Sequence, residues 1–518
     1  MRRWRGPLVV GALVLASLAV PAAASAAPFL TTFSTQVSGA SPLAGCLGDQ
    51  PASGTNFVNS EVEPWIAVDP SNPDHLITAW QQDRWSNGGA RGLVTAASFN
   101  GGASWTIQAS TKSSVCTGGT AANGGNYERA TDPWVDIAPN GDTYLMSLSL
   151  DTNFEQGGFG TSPNAMLVMK SPDGGLTWDD PITLRRDTSP NVLNDKNSLT
   201  ADPLDSNFVY AVWDRLESPP GRASEVTPPQ AFENAIAFRG PTWFARTTNG
   251  GQSWEPARKI FEPGTINQTI GNQIVVLPNG DLVDVFDLIH GARNAPPGSR
   301  GFNIAYIRST DKGATWSRRA TIVDKHFLAP VSDPDTGQPH RTGDILPDAA
   351  VDLTTGDTRG NLYLVWQDAR FTGRAAIAFK MSEDGGRTWS PTIKVNQTPA
   401  LGNANEQAFT GSVHVADDGT VGVSYYDFRN NTAGGGTDTD HWILHCHAAD
   451  EDCGDPASWD EETRVTATSF DSRLAPVARG FFLGDYVGLD NVGNAFTPLF
   501  TQTYTDPASE QYAEVGLP

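Results

Sequence analysis

The chain has 518 residues, 39% hydrophobic and 18% charged, with 35 Lys and Arg against 58 Asp and Glu. That apolar share excludes wholesale disorder, and the net charge of −23 argues against a nucleic-acid partner. The 52 Gly and 36 Pro suit a turn-rich β protein better than a helix bundle, and 4 Cys are too few for a disulfide scaffold.

Residues 1–27 read as a secretory signal peptide. Arg2, Arg3 and Arg5 form a basic start, residues 8–20 an apolar run, and residues 22–27 a stretch of small cleavage-site residues. The run is too short to span a membrane, and no second one follows. An exported, acidic protein is expected, folded as one domain over 28–518. Export favours disulfides. Cys446 and Cys453 are close enough to shut a short loop, which leaves Cys46 with Cys116. A metal site at His441, His445, Cys446 and His447 is disfavoured, because strand alternation points Cys446 away from His445 and His447.

An eight-residue turn then recurs along the chain. Ser-Phe-Asn-Gly-Gly-Ala-Ser-Trp at 98–105 returns as Ser-Pro-Asp-Gly-Gly-Leu-Thr-Trp at 171–178 and Thr-Thr-Asn-Gly-Gly-Gln-Ser-Trp at 247–254. Further copies stand at 309–316 and 382–389, with a worn one at 455–459. The Trp residues are 73, 76, 62, 73 and 70 positions apart. In each copy the Asp or Asn can cap its own turn, Gly accepts positive φ, and Trp packs beneath. These residues are expected to pin hairpins, not to catalyse.

Each copy sits among short strands. The first set is expected at 65–70, 75–80, 92–97 and 105–108. The leading strand recurs at 135–139, 199–203, 274–278, 350–353, 413–417 and 487–490. The second strands end near Trp80, Leu150, Trp213, Phe286, Trp366, Tyr426 and Phe500. Regular short strands with little helical pattern fit an all-β radial propeller. The 491 residues after the signal divide better by seven than by six. Residues 486–490, 496–503 and 511–515, with 29–37 returning as outer strand, would complete a seventh unit and close the ring.

The repeated turns are the signature known as Asp boxes or BNR repeats, so nearly the whole mature chain resembles the sialidase-like superfamily of β-propellers. The resemblance implies four-stranded antiparallel blades and a glycan-acting site at the central rim. It also implies a Tyr nucleophile, an acidic helper and Arg residues that clamp an anionic sugar such as sialic acid. Tyr486 in Gly-Asp-Tyr-Val-Gly-Leu at 484–489 looks like the Tyr position, with Asp485 beside it. Arg84 looks like the Arg ending the first blade's second strand; Arg370 and Arg429 fit by placement. Glu63-Pro-Trp-Ile66 lacks the family's Arg, and the loop at 85–91 lacks the family's acid, so sialic acid specifically is left open.

Candidate residues also follow from placement alone. The second strands end in Asp–Arg motifs carrying Arg84, Arg215, Arg370 and Arg429. Starts of the leading strands carry Glu61, Glu63, Glu128, Asp132, Asp195, Lys196, Asn267, Asn272, Asp344, Asp348, Glu406, Asp485 and Tyr486. Glu128, Asp132, Asp485 and Tyr486 are taken as catalytic, and Asp348 and Glu406 join the Arg residues in binding substrate. The same acidic ring suits Ca²⁺ as an alternative occupant, although no cofactor is required. Loops at 217–233 and 291–300 are expected to overhang the rim. A monomer acting on an extracellular glycan is expected; a polysaccharide lyase and a non-catalytic binding propeller are the alternatives.

Overall fold

The computed structural model describes residues 1, 30–49, 54–153, 159, 161–218, 239–291, 298–459, 461–504 and 509–516. The expected signal peptide lies outside them, as does most of the loops at 217–233 and 291–300. No α-helix occurs among the described residues.

Strands pair antiparallel with their chain neighbours, as short hairpin connections require. The first unit runs Glu61–Val68, Leu76–Arg84, Ala90–Ser98, Thr106–Gln108. The second runs Arg129–Ile137, Thr143–Leu150, Asn164–Ser171, Ile182–Asp187, and one pair, Ala90 with Ala130, joins it to the first. The third is Val192–Ala201, Val209–Glu217, Thr242–Thr247, Arg258–Phe261; the fourth Asn267–Val276, Leu282–His290, Asn303–Ser309, Thr321–Lys325. The fifth is Asp348–Val351, Leu362–Asp368, Ala376–Ser382, Ile393–Lys394; the sixth Ala408–Val415, Thr420–Asp427, Asp438–His447, Glu462–Arg464. The last sheet has the order Gly488–Val492, Ala495–Gln502, Ser509–Gly516, Leu30–Gln36.

Leading strands of successive units pack side by side, and Gly488–Val492 packs back on Glu61–Val68. The apolar core is therefore cut into slabs between units. Met146 and Leu148 meet Ala211 and Trp213; Val283 and Val285 meet Leu364 and Trp366; Phe409 and Tyr426 meet Leu489 and Phe500. Such aromatic and β-branched faces drive assembly by removing apolar area from water, about 25 cal/mol per Å².

The repeated turns form as their chemistry dictates. Asp173 Oδ1 accepts from the Thr177 amide at 2.8 Å, and Ser171 Oγ from the Gly175 amide at 2.8 Å. Asn249, Asp311 and Asp384 repeat the first bond. Gly175 needs its missing side chain twice over: φ is +91°, and a Cβ would come within 2.3 Å of Ile77 in the preceding unit. The turns thus pin each unit to its neighbour. Both expected disulfides are formed, Cys46–Cys116 and Cys446–Cys453.

Candidate active site

Five leading strands share a break near their start. Two residues drop out of the pairing in each: Glu63 and Pro64, Asp132 and Pro133, Lys196 and Asn197, Gly271 and Asn272, Thr410 and Gly411. The first of each pair is left-handed, with φ of 55°, 54°, 46°, 69° and 51°. Four are not glycine, and each such residue costs about 1–3 kcal/mol, which the surrounding structure must offset. A bulge re-aims side chains. Here it brings Glu63, Asp132 and Lys196 together. The Pro residues suit the break because they have no amide to lose from the ladder.

Lys196 is the hub. Its ammonium lies 2.6 Å from Asp485 Oδ2, 3.5 Å from Glu63 Oε1 and 3.8 Å from Asp132 Oδ2. Arg341 grips Asp485 with two bonds, Nε to Oδ1 at 2.8 Å and Nη2 to Oδ2. Glu63 also accepts from Gln81, whose carbonyl oxygen takes a bond from Arg84. Arg84 and Arg341 both lie on the Phe482 ring, 5.0 and 4.3 Å from its centroid.

Burial and charge pull these groups apart. Burial would raise Asp485, but Arg341 and Lys196 overcome it and hold the carboxyl well below the usual range. Burial pushes Glu63 up to about 7, with Lys196 opposing and Asp132 and Asp485 adding. Burial and the Asp132 charge push Asp195 up to about 6. Burial works against the Lys196 ammonium, yet the surrounding carboxylates raise its pKa. Arg84 falls to about 10 through burial and Arg341.

Above the hub opens a cavity, continuous with solvent, walled by Trp65, Trp134, Tyr486, Asn197, Gln273 and Thr410 among others. The indoles of Trp65 and Trp134 stack at 3.5 Å between centroids, and Tyr486 tilts against both. The Tyr486 hydroxyl donates to the Pro133 carbonyl at 3.1 Å. Burial, then the charges of Glu63, Asp132 and Asp485, raise that phenol well above its ordinary pKa.

The expected site residues divide. Tyr486, Asp485, Asp132 and Arg84 meet here. Asp348 lines the cavity, but its Oδ2 is turned to Ser412 Oγ (2.7 Å) and the Val413 amide (2.9 Å). The remaining expected residues do not line the cavity. Glu128 caps the Thr152 amide at 2.8 Å, and Glu406 binds Arg374 at 2.9 Å. Arg215 forks onto Asp187 at 2.9 and 3.0 Å, Arg370 joins Asp324 and Asp368, and Arg429 joins Asp427 and Glu462. Carboxylates on second and outer strands neutralise these three guanidiniums, and none of the three lines the cavity.

Arg341 was not singled out from sequence. It lies in Pro339–Arg341, which pairs antiparallel with Val331–Ser332 and parallel with Phe481–Phe482, outside the repeated pattern. Gly343 then passes so close that a Cβ would sit 2.1 Å from the Asp485 carbonyl oxygen. The Trp pair did have a signal: Glu-Pro-Trp at 63–65 and Asp-Pro-Trp at 132–134. In the acidic ring suggested for Ca²⁺, the Lys196 ammonium sits among the carboxylates of Glu63, Asp132 and Asp485.

No protein-family model matches the chain, and no curated protein matches its sequence. Among solved structures it is similar to the α-L-arabinofuranosidase Arb93A of Fusarium graminearum, at 14% identity over 77% of this chain and 93% of that one, TM-score 0.44. It is also similar to the Hadza microbial sialidase Hz136, at 14% over 85% and 76%, TM-score 0.44. An α-L-arabinanase of Penicillium chrysogenum shows 12% over 94% and 98%, TM-score 0.42.

Proposed function

We propose that the chain is an exported seven-bladed β-propeller that hydrolyses glycosidic bonds of extracellular glycans in the cavity over Lys196. The ring reading is supported by the unit order, by the packing of Gly488–Val492 on Glu61–Val68, and by the pairing of Leu30–Gln36 with Ser509–Gly516. Two disulfides support export.

The observation that carries the catalytic reading is the split between neighbouring carboxyls. Asp485 is held ionised while Asp195 and Glu63 keep protons towards neutrality. Such a split separates acid from base in one site. Glu63 is fully buried, with Gln81 on one oxygen and Lys196 near the other. Asp195 is half-buried and bonds only through Oδ1, to the Lys196 amide at 3.1 Å. We assign Asp195 as the proton donor to the leaving oxygen; it adjoins the lining residue Lys196 without lining the cavity itself, so its side chain must turn towards the cavity to act. Tyr486 is the nucleophile. Attack requires its hydroxyl to leave the Pro133 carbonyl and pass its proton to a neighbouring carboxylate. Trp65 and Trp134 offer the apolar wall that a sugar ring packs on.

The bond from Tyr486 to a carbonyl, not a carboxylate, favours a second reading, a binding propeller without chemistry. Screening the purified protein on sialosides, uronate polysaccharides and neutral glycans, with Tyr486→Phe alongside, decides between them. Product release lost in the variant supports hydrolysis; full activity in the variant ends the nucleophile assignment; no release from any glycan leaves the binding reading. An unsaturated, ultraviolet-absorbing product would mark a lyase.

A further inference from the structure

We infer that the glycan taken by this cavity is uncharged at the subsite over Trp65 and Trp134, and that Asp485 enforces that choice. The inference rests on the glycan-acting reading.

A site that binds a sugar carboxylate needs an unneutralised cation, best a guanidinium free to fork. Among the described residues lining the cavity there is one cation, Lys196, against two carboxylates, Asp348 and Asp485. Lys196 is already shared among Asp485, Glu63 and Asp132. Arg341 spends its fork on Asp485, and Arg84 is turned to Gln81 and Thr131; neither lines the cavity. Lys196 and Arg341 are thus committed to Asp485, and a sugar carboxylate entering here finds no free ammonium or guanidinium on the cavity wall to replace the water it loses.

The rest of the wall suits a neutral ring. Two indoles supply stacking area. Asn197 is buried at 3% exposure, and its Oδ1 has no partner. A buried acceptor left empty costs about 1–3 kcal/mol. A sugar hydroxyl donates the missing bond; a carboxylate has no proton to give.

The test is binding to an array of pairwise-matched oligosaccharides, galacto- against galacturono- and lactose against sialyllactose, with product release measured on the same ligands. Expected is binding confined to neutral members. Removing the Asp485 charge with Asp485→Asn frees Lys196 and Arg341, and binding of carboxylated members should then rise about tenfold and weaken with salt. Circular dichroism and the melting temperature of the variant check that it folds; if it does not, the wild-type array alone decides. Preference for carboxylated ligands, or no binding of any neutral ligand, overturns the inference. Neutral ligands bound but never cleaved overturn the hydrolase reading and leave this one standing. Carboxylated ligands bound and cleaved do the reverse.

Discussion

The Asp485 carboxylate is held by the Arg341 guanidinium across 144 residues of sequence, with Nε 2.8 Å from Oδ1 and Nη2 closing the second bond. One partner lies in an insertion between the fourth and fifth units, the other just before the last sheet. The pair therefore ties distant parts of the chain together at the cavity floor.

Arg341→Met should be strongly destabilising. It leaves a nearly buried carboxylate with Lys196 alone, and breaking a buried pair costs about 3–5 kcal/mol. The acid limb should change too. Because Asp485 is depressed in the fold, its contribution is present above its unfolded pKa and is lost as pH falls through the lower folded value. Denaturant melts from pH 7 to pH 2 should show this loss setting in below about pH 4 in the wild type and much less of it in the variant.

Asp284 gives the opposite sign. Both its oxygens are buried without partners, and burial raises its pKa well above normal. The fold then holds a proton that the unfolded chain has lost, so stability falls as pH rises above the unfolded carboxyl pKa. Asp284→Asn should melt above wild type at pH 8, by about 1 °C for each kcal/mol gained in a chain of this length. The advantage should shrink at pH 4. An equal or lower melting temperature at pH 8 would count against a protonated Asp284.

Removing the Cys46–Cys116 bridge should cost about 2–5 kcal/mol, since it closes a 70-residue span. The shorter Cys446–Cys453 loop, seven residues apart, should matter less. Paired Cys→Ser variants in urea melts would rank the two.

If Asp195 is the proton donor, turnover should fall as pH rises through about 6, where that carboxyl loses its proton. In Asp195→Asn the alkaline limb should vanish together with most of the rate. A pH–rate profile unchanged in shape would remove Asp195 from this role.

Much of the fold was legible because it repeats. The box at 171–178 announces its own turn, and the leading strands stand where the period puts them. They begin earlier than expected, Arg129–Ile137 in place of 135–139, because pairing resumes on the N-terminal side of the bulge at Asp132 and Pro133. The site was less legible for the converse reason. Arg341 belongs to no repeat, so periodicity could not mark it. Arg215, Arg370 and Arg429 did repeat, and the repetition reflects structural pairing with nearby carboxylates. Tyr486 and Asp485, which line the cavity, were legible because Gly-Asp-Tyr precedes a recognisable leading strand and resembles the family's Tyr position.

The most direct measurement is the rate of reducing-sugar release from neutral oligosaccharides by the wild type and Asp195→Asn, side by side at pH 5. The account predicts release by the wild type and a loss of about 100-fold or more in the variant, the usual scale of a lost general acid. Equal rates in the two proteins, or no release by the wild type from any glycan, would contradict it.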